Sequence, residues 1–292
     1  MSKPENQRDT DASPFDVPPH QQAPPDYGTP GYQSRYEPAR TEEPARISEA
    51  GRFTGVLFSP GETFEDINRK PSWVLPLLIS MAVALAFTWF LFSHFDAGWH
   101  QFMRKTLADR AAKSGQPAPA DQDVAKAVSF TRWVYLGLAV VGPAIINLVL
   151  AGIFALGLMV MQAQTTYKKI FSVVLWSGAV TGLVSVIVTI ASVLYVRDAD
   201  AARDFNPQDL GSLSATNLGV FLPPGTSPVL KAIVSSVDVF TIWFLILLSI
   251  GFAAIAGGKK FKTGRTAKLV FGLWAILVLI KAGIAALGFG AR

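Results

Sequence analysis

Five long apolar stretches separated by charged segments dominate the last three-quarters of the chain, at about 73–92, 133–162, 170–196, 232–256 and 269–289. Each is near the ~20 residues a helix needs to cross a hydrocarbon core of ~30 Å. The fold class this predicts is all-α, a polytopic integral membrane protein. Its centre is a five-helix transmembrane bundle, with the bilayer as solvent for most of the surface.

Charge is distributed to match. The chain carries 26 Lys and Arg against 21 Asp and Glu, a net +5. Residues 1–50 hold nine acidic and five basic residues, so the other 12 acidic and 21 basic residues carry all of the excess. A pI near 9.4 could indicate nucleic acid. These basic residues, however, flank apolar stretches instead of forming a soluble face, and the positive-inside rule accounts for them with no nucleic-acid partner. The absence of cysteine excludes disulfides and thiolate metal sites. The first 50 residues contain no apolar run, so no signal peptide is expected and the first span acts as its own insertion signal.

Arg69 and Lys70 precede the first stretch, Lys168 and Lys169 separate the second from the third, and Lys259, Lys260, Lys262, Arg265 and Lys268 separate the fourth from the fifth. With five spans all three groups fall on one side, which the rule makes cytoplasmic. The amino terminus is then inside and the carboxyl terminus outside. The connections at 95–131 and 197–229 face outward; basic residues in the first are partly offset by Asp96, Asp109, Asp121 and Asp123. The Lys259, Lys260, Lys262 and Arg265 cluster also suits contact with anionic lipid headgroups, at ~1 kcal/mol per residue.

Residues 1–45 contain nine of the 19 prolines and no apolar periodicity. Such a segment buries too little surface to offset its ordering entropy, so a disordered, acidic cytoplasmic tail is expected. Its Pro24-Pro25-Asp26-Tyr27 resembles a WW-domain ligand, and the tail is the expected contact for a protein partner. The membrane domain is expected over 46–292. Ser59, Pro60 and Glu62 read as a capping box with proline at the first helical position. Phe64 and Ile67 share one face of the helix that follows, with Glu65, Asp66 and Asn68 facing elsewhere, which predicts an interfacial amphipathic helix ending before Pro71. A second interfacial helix is expected from Trp99, Phe102, Met103 and Leu107, ended by Gly115-Gln116-Pro117. A further helix starts near Asp121 and runs into the second span, with a kink at Gly142-Pro143.

Phe58-Ser59-Pro60-Gly61-Glu62-Thr63-Phe64, followed by Pro71-Ser72-Trp73, resembles the opening of prokaryotic Yip-domain proteins. These are relatives of the eukaryotic Ypt/Rab-GTPase-interacting membrane proteins. Ser114-Gly115-Gln116-Pro117 before Ala127-Val128-Ser129-Phe130, Tyr167-Lys168-Lys169-Ile170-Phe171, and Asp238-Val239-Phe240-Thr241-Ile242-Trp243 with Gly251 continue the likeness in order, over about 46–289. The resemblance implies a cytosolic amino terminus and five spans. For eukaryotic members it also implies trafficking roles through small GTPases and other membrane partners. The motifs point to a bacterial inner membrane.

Ionisable groups within spans are costly and usually face the bundle in pairs. Asp238 in the fourth stretch and Lys281 in the fifth fall at similar depths. They read either as a structural pair that fixes helix register, with Lys281 snorkelling outward, or as the lining of a polar cavity for an ion, a proton or a headgroup. Gly178 and Gly182, with the stripe Ser177, Thr181, Ser185 and Thr189, make one face of the third span a close-packing surface for a neighbour or a second copy of the chain. Asn147 reads as an interhelical hydrogen bond. His94, Asp96 and His100 lack the spacing of a metal site, and neither a cofactor nor a catalytic constellation is expected. The sequence thus points to a non-catalytic membrane scaffold that binds protein or lipid partners. The alternative is a small transporter or channel using Asp238 and Lys281.

Overall fold

The computed structural model describes residues 46–196, 205, 207, 210, 213–223, 225–257 and 261–287. The expected tail at 1–45 lies outside the described residues, as do Lys259 and Lys260. Among the described residues the secondary structure is helical: α1 Glu49–Phe58, α2 Pro60–Arg69, α3 Val74–His94, α4 Asp96–Ser114, α5 Asp121–Val160, α6 Tyr167–Val196, a 3-10 turn Leu218–Phe221, α7 Pro228–Val234, α8 Val239–Ile255 and α9 Thr263–Ala286.

Among the described residues four helices, α3, α5, α6 and α9, are long and apolar enough to cross a membrane. At 40 residues α5 is about 60 Å long, roughly twice the hydrocarbon thickness. It continues through Pro143, and Asn147 Nδ2 donates to the Pro143 carbonyl at 2.7 Å, a bond within its own helix and not the interhelical one expected. The centre of the bundle is α6. Half of its most apolar stretch is buried by protein, against 11–17% in α3, α5 and α9, whose remaining apolar surface is left for lipid.

The fourth apolar stretch is not one helix. Asp238 leaves the helical region (φ −138°, ψ 146°), and its carboxylate accepts from the N–H groups of Phe240 and Thr241. A side chain that bonds nearby backbone competes with the helical ladder, so it starts a helix here instead of continuing one. The stretch therefore divides into the short α7 and the 17-residue α8, about 26 Å long.

The segment ahead of the first span is a helical hairpin, of which the sequence predicts only the second helix. Ser48 Oγ accepts from Gly51 N–H at 3.1 Å and starts α1. Ser59 then forms the corner between α1 and α2. Its N–H donates to Gly55 O at 2.7 Å, and its own carbonyl accepts the Thr63 hydroxyl at 2.9 Å. The expected capping box is not made, because the Ser59 side chain caps nothing; Pro60 does take the first turn. The two helices meet so closely that a Cβ at Gly55 would collide with Thr63.

Both of the helices expected at the interface form, with the α2 face buried by protein and, on α4, Trp99 buried and Phe102, Met103 and Leu107 half-buried. Phe64 and Ile67 of α2 are fully buried in the main core with Val173 and Val174 of α6 and Leu248 and Phe252 of α8. A Cβ on Gly251 would run into Val173 and press within 3.2 Å of the Phe64 ring, so glycine is what lets α2 seat. In α4, Trp99 stacks on Phe92 at 4.2 Å and joins a second core with Phe95, Val124, Val128 and Phe205. The helix ends as expected at Gly115, which takes φ 67°.

Candidate functional site

A polar group that amphipathicity alone misplaces lies in a buried hydrogen-bond network. Asp66, expected on the polar face of α2, is 1% exposed, and Arg52 on α1 is fully buried. Arg52 Nε and Nη2 donate to Asp66 Oδ2 at 3.0 and 2.8 Å, and the backbone N–H of Arg46 donates to Oδ1 at 2.7 Å. The remaining guanidinium nitrogen, Nη1, reaches Ser72 Oγ at 2.6 Å and Glu49 Oε1 at 3.1 Å. Ser72 Oγ in turn donates to Glu49 Oε2 at 3.0 Å, and Trp176 Nε1 on α6 donates to the Ser72 carbonyl at 3.1 Å. Burial pushes the Asp66 carboxyl up, but the Arg46 N–H and the Arg52 guanidinium outweigh it and hold the group below its ordinary value of 3.8.

A second set of bonds fixes the other edge of the hairpin. Asn68 Nδ2 donates to Ala254 O at 3.1 Å at the end of α8, and Lys169 Nζ at the start of α6 donates to Asn68 Oδ1 at 2.7 Å. Gln164 N–H, in the α5–α6 link, donates to Ala256 O at 2.9 Å. One end of the bundle thus brings together the hairpin, the start of α3, the α5–α6 link and the end of α8. Sequence reasoning missed the network because Arg52 and Asp66 are 14 residues apart, on two helices of which only one was recognised.

Asp238 and Lys281 are not joined. Besides its two N-terminal amides, Asp238 takes the Thr216 hydroxyl at 2.7 Å. The Asn217–Asp238 bridge and Asn217 Nδ2, donating to Ser235 O at 2.9 Å, hold the preceding loop to this corner. Lys281 Nζ instead donates to Ser236 Oγ at 3.2 Å and Ser235 Oγ at 3.4 Å. Asp238 thus serves as the helix cap of α8 beside an open groove of about 290 Å³. Asp238→Ala is expected to cost about 1 kcal/mol in thermal unfolding, whereas Asp238→Asn, an equally good cap, stays within a few tenths. A large loss in the Asn variant would mean that the charge itself matters.

On α6 the small-residue face divides. The Cβ position of Gly178 lies 3.7 Å from Asn147 Oδ1 and 3.8 Å from Phe244, so it sits against α5 and α8, while none of the described residues lies within 4 Å of that of Gly182. Ser177 Oγ is buried with no hydrogen-bond partner among the described residues, and the Thr181 hydroxyl donates to Ser177 O at 2.8 Å. Ser185 is half-buried and Thr189 is buried. Of the basic cluster, Lys262 and Arg265 are exposed, with the Arg265 guanidinium 5.1 Å from the Phe261 ring centre. Of the opening motif, Pro60 starts α2, Phe64 is buried and Glu62 is exposed; Trp243 is half-buried against the main core. His94 stacks on Phe90 at 5.2 Å, and His100 Nδ1 lies 2.9 Å from the Asp96 carbonyl.

Comparison with known proteins places this architecture. The chain is 23% identical over 225 residues to "Membrane protein YknW" of Bacillus subtilis (strain 168), covering 77% of this chain and 87% of that protein. No solved structure matches it. The Yip1 domain model matches residues 54–289, from within α1 to just beyond α9. By that match over most of its length, together with its apolar helices, the chain is a multi-pass membrane protein that belongs to the Yip1 domain family.

Proposed function

We propose that this protein is a non-catalytic membrane scaffold or adaptor that organises protein or lipid partners at one face of the bilayer. The observation that carries the reading is the N-terminal hairpin. A buried ion pair and the Asn68 bonds fasten it to α6 and α8, giving a rigid platform at the end of the bundle. Lys168, Lys262, Arg265 and Lys268 are exposed at or near that end, which supports a cytoplasmic platform and contact with anionic headgroups; Lys259 and Lys260 would extend the cluster. In this reading α8 is a fifth pass, since 17 residues is the lower limit for spanning, and the carboxyl terminus lies outside. The membrane is a bacterial inner membrane, residues 46–292 form the membrane domain, and residues 1–45 are the protein-partner contact. The open position at Gly182 offers a route to self-association.

The test is capture in native lipid nanodiscs with mass spectrometry of co-purifying material. The full chain is expected to bring a reproducible protein partner that a form lacking residues 1–45 does not. The second reading, transport, draws on the groove beside Asp238, which Thr216, Leu218 and Ile242 also line. A chain that brings no protein partner but holds a small solute, released by Asp238→Asn, would replace the scaffold with that reading.

A further inference from the structure

Where α3 begins, an open groove of about 410 Å³ runs from polar to apolar lining. Glu49, Ser72 and Lys168 supply its polar groups, and Trp73, Leu75 and Leu78 its apolar walls. Glu49 is held from behind: Oε1 accepts from Arg52 and Oε2 from Ser72, while 45% of the side chain remains exposed. One guanidinium lies between two carboxylates here, so the Arg52, Asp66 and Glu49 group carries one surplus negative charge. Asp66 is 1% exposed, so that surplus reaches the groove through Glu49. Lys168 is exposed and its ammonium has no side-chain partner among the described residues. A fixed acceptor and an exposed cation thus share one mouth above an apolar wall, with Trp73 lining it as an interfacial aromatic.

We propose that this groove binds a zwitterionic phospholipid with a primary-ammonium headgroup, the ethanolamine class. The phosphate sits on Lys168, the ammonium donates to Glu49, and an acyl chain lies along Leu75 and Leu78. A carboxylate keeps acceptor sites beyond the two already used, and a primary ammonium has three N–H donors to fill them. A quaternary choline headgroup has no donor for Glu49, and an anionic glycerol headgroup brings no cation to it. The site goes beyond the scaffold reading and requires only that the chain sit in a membrane.

The test is native mass spectrometry of the purified full-length chain, titrated with ethanolamine, choline and glycerol phospholipids of identical acyl chains. The wild-type chain is expected to prefer the ethanolamine lipid on the order of tenfold over either competitor, the worth of one charge-assisted hydrogen bond. Glu49→Gln and Lys168→Ala should each abolish the preference. Lys168→Ala removes no side-chain bond among the described residues, so its result does not depend on the hairpin staying intact. Leu78→Trp, on the half-exposed wall, should lower occupancy by all three lipids. Equal binding of the three, preference for the glycerol or choline lipid, or an ethanolamine preference that survives either charge variant would overturn the proposal. None of these outcomes bears on partner capture through residues 1–45, so failure here and failure of the scaffold reading are separable.

Discussion

Asp66→Asn is expected to destabilise the protein by about 3 kcal/mol, because it removes the buried carboxylate that takes two guanidinium bonds and leaves the fully buried Arg52 with only the half-exposed Glu49 as counter-charge. Arg52 has no exposed surface through which water could replace the lost carboxylate. Its other partners, Glu49 and Ser72, sit on the opposite side of the guanidinium and cannot take over the two bonds to Oδ2. A lowered unfolding midpoint in nanodiscs would be the direct readout. Replacing both partners, Arg52→Met with Asp66→Leu, should recover most of the loss, since a well-packed apolar pair often matches a buried ion pair. The bond between Ser72 and Glu49 stays available in that double variant. If the single and double variants are equally unstable, the charge is not what makes the single variant costly.

The same carboxylate sets a pH dependence. Its folded-state pKa is below the ordinary value of 3.8, so the unfolded chain binds the proton more readily. The contribution of Asp66 is therefore complete above that value and is lost as pH falls through the folded-state pKa. The wild-type midpoint should fall more steeply than that of the Arg52→Met/Asp66→Leu variant in this acidic window, and the two should run parallel near neutrality.

Phe64→Ala should have an effect of similar size, about 3–5 kcal/mol, for a different reason. The ring is fully buried where α2 meets α6 and α8, with the bare backbone of Gly251 beneath it. Removing the ring leaves a cavity that α2 cannot close without giving up the bonds of Asn68 and Asp66. The same truncation at exposed Glu65, one position along, should change stability by less than about 0.5 kcal/mol. Thermal unfolding of both variants, with limited proteolysis of residues 49–69, checks this; equal sensitivity would show that α2 is not seated in the core.

Much of the membrane part of the fold was legible because the bilayer makes apolar length a direct reporter of spanning helices. The positions of α3, α5, α6 and α9 follow from it. The fourth stretch misled because hydropathy averages over residues 232–256 and is blind to one aspartate diverting the backbone. Asp238 looked like a deep charge in a continuous helix; it is the first-turn cap of a shorter one. The Asp238 and Lys281 pair was inferred from equal depth, and depth does not fix the azimuth at which two helices present their side chains. The hairpin was half legible. The Pro60 start and the Phe64 and Ile67 face were readable, whereas the burial of Asp66 was not, because its partner Arg52 lies 14 residues back on α1, and one helix's periodicity does not show what a neighbouring helix brings to its polar face. Ser48, three residues before Gly51 and followed by Glu49, was the signal that could have found it.

The measurement that bears most directly on the clamped hairpin is hydrogen–deuterium exchange of the full chain in lipid nanodiscs, read on peptides covering α2. Amides of Thr63 to Ile67 are expected to be protected for hours, as those of buried α6 are, and to lose that protection in Asp66→Asn while α6 keeps its own. Exchange of α2 within seconds in the wild-type chain would contradict the account, because a platform that opens freely is not fastened to the bundle.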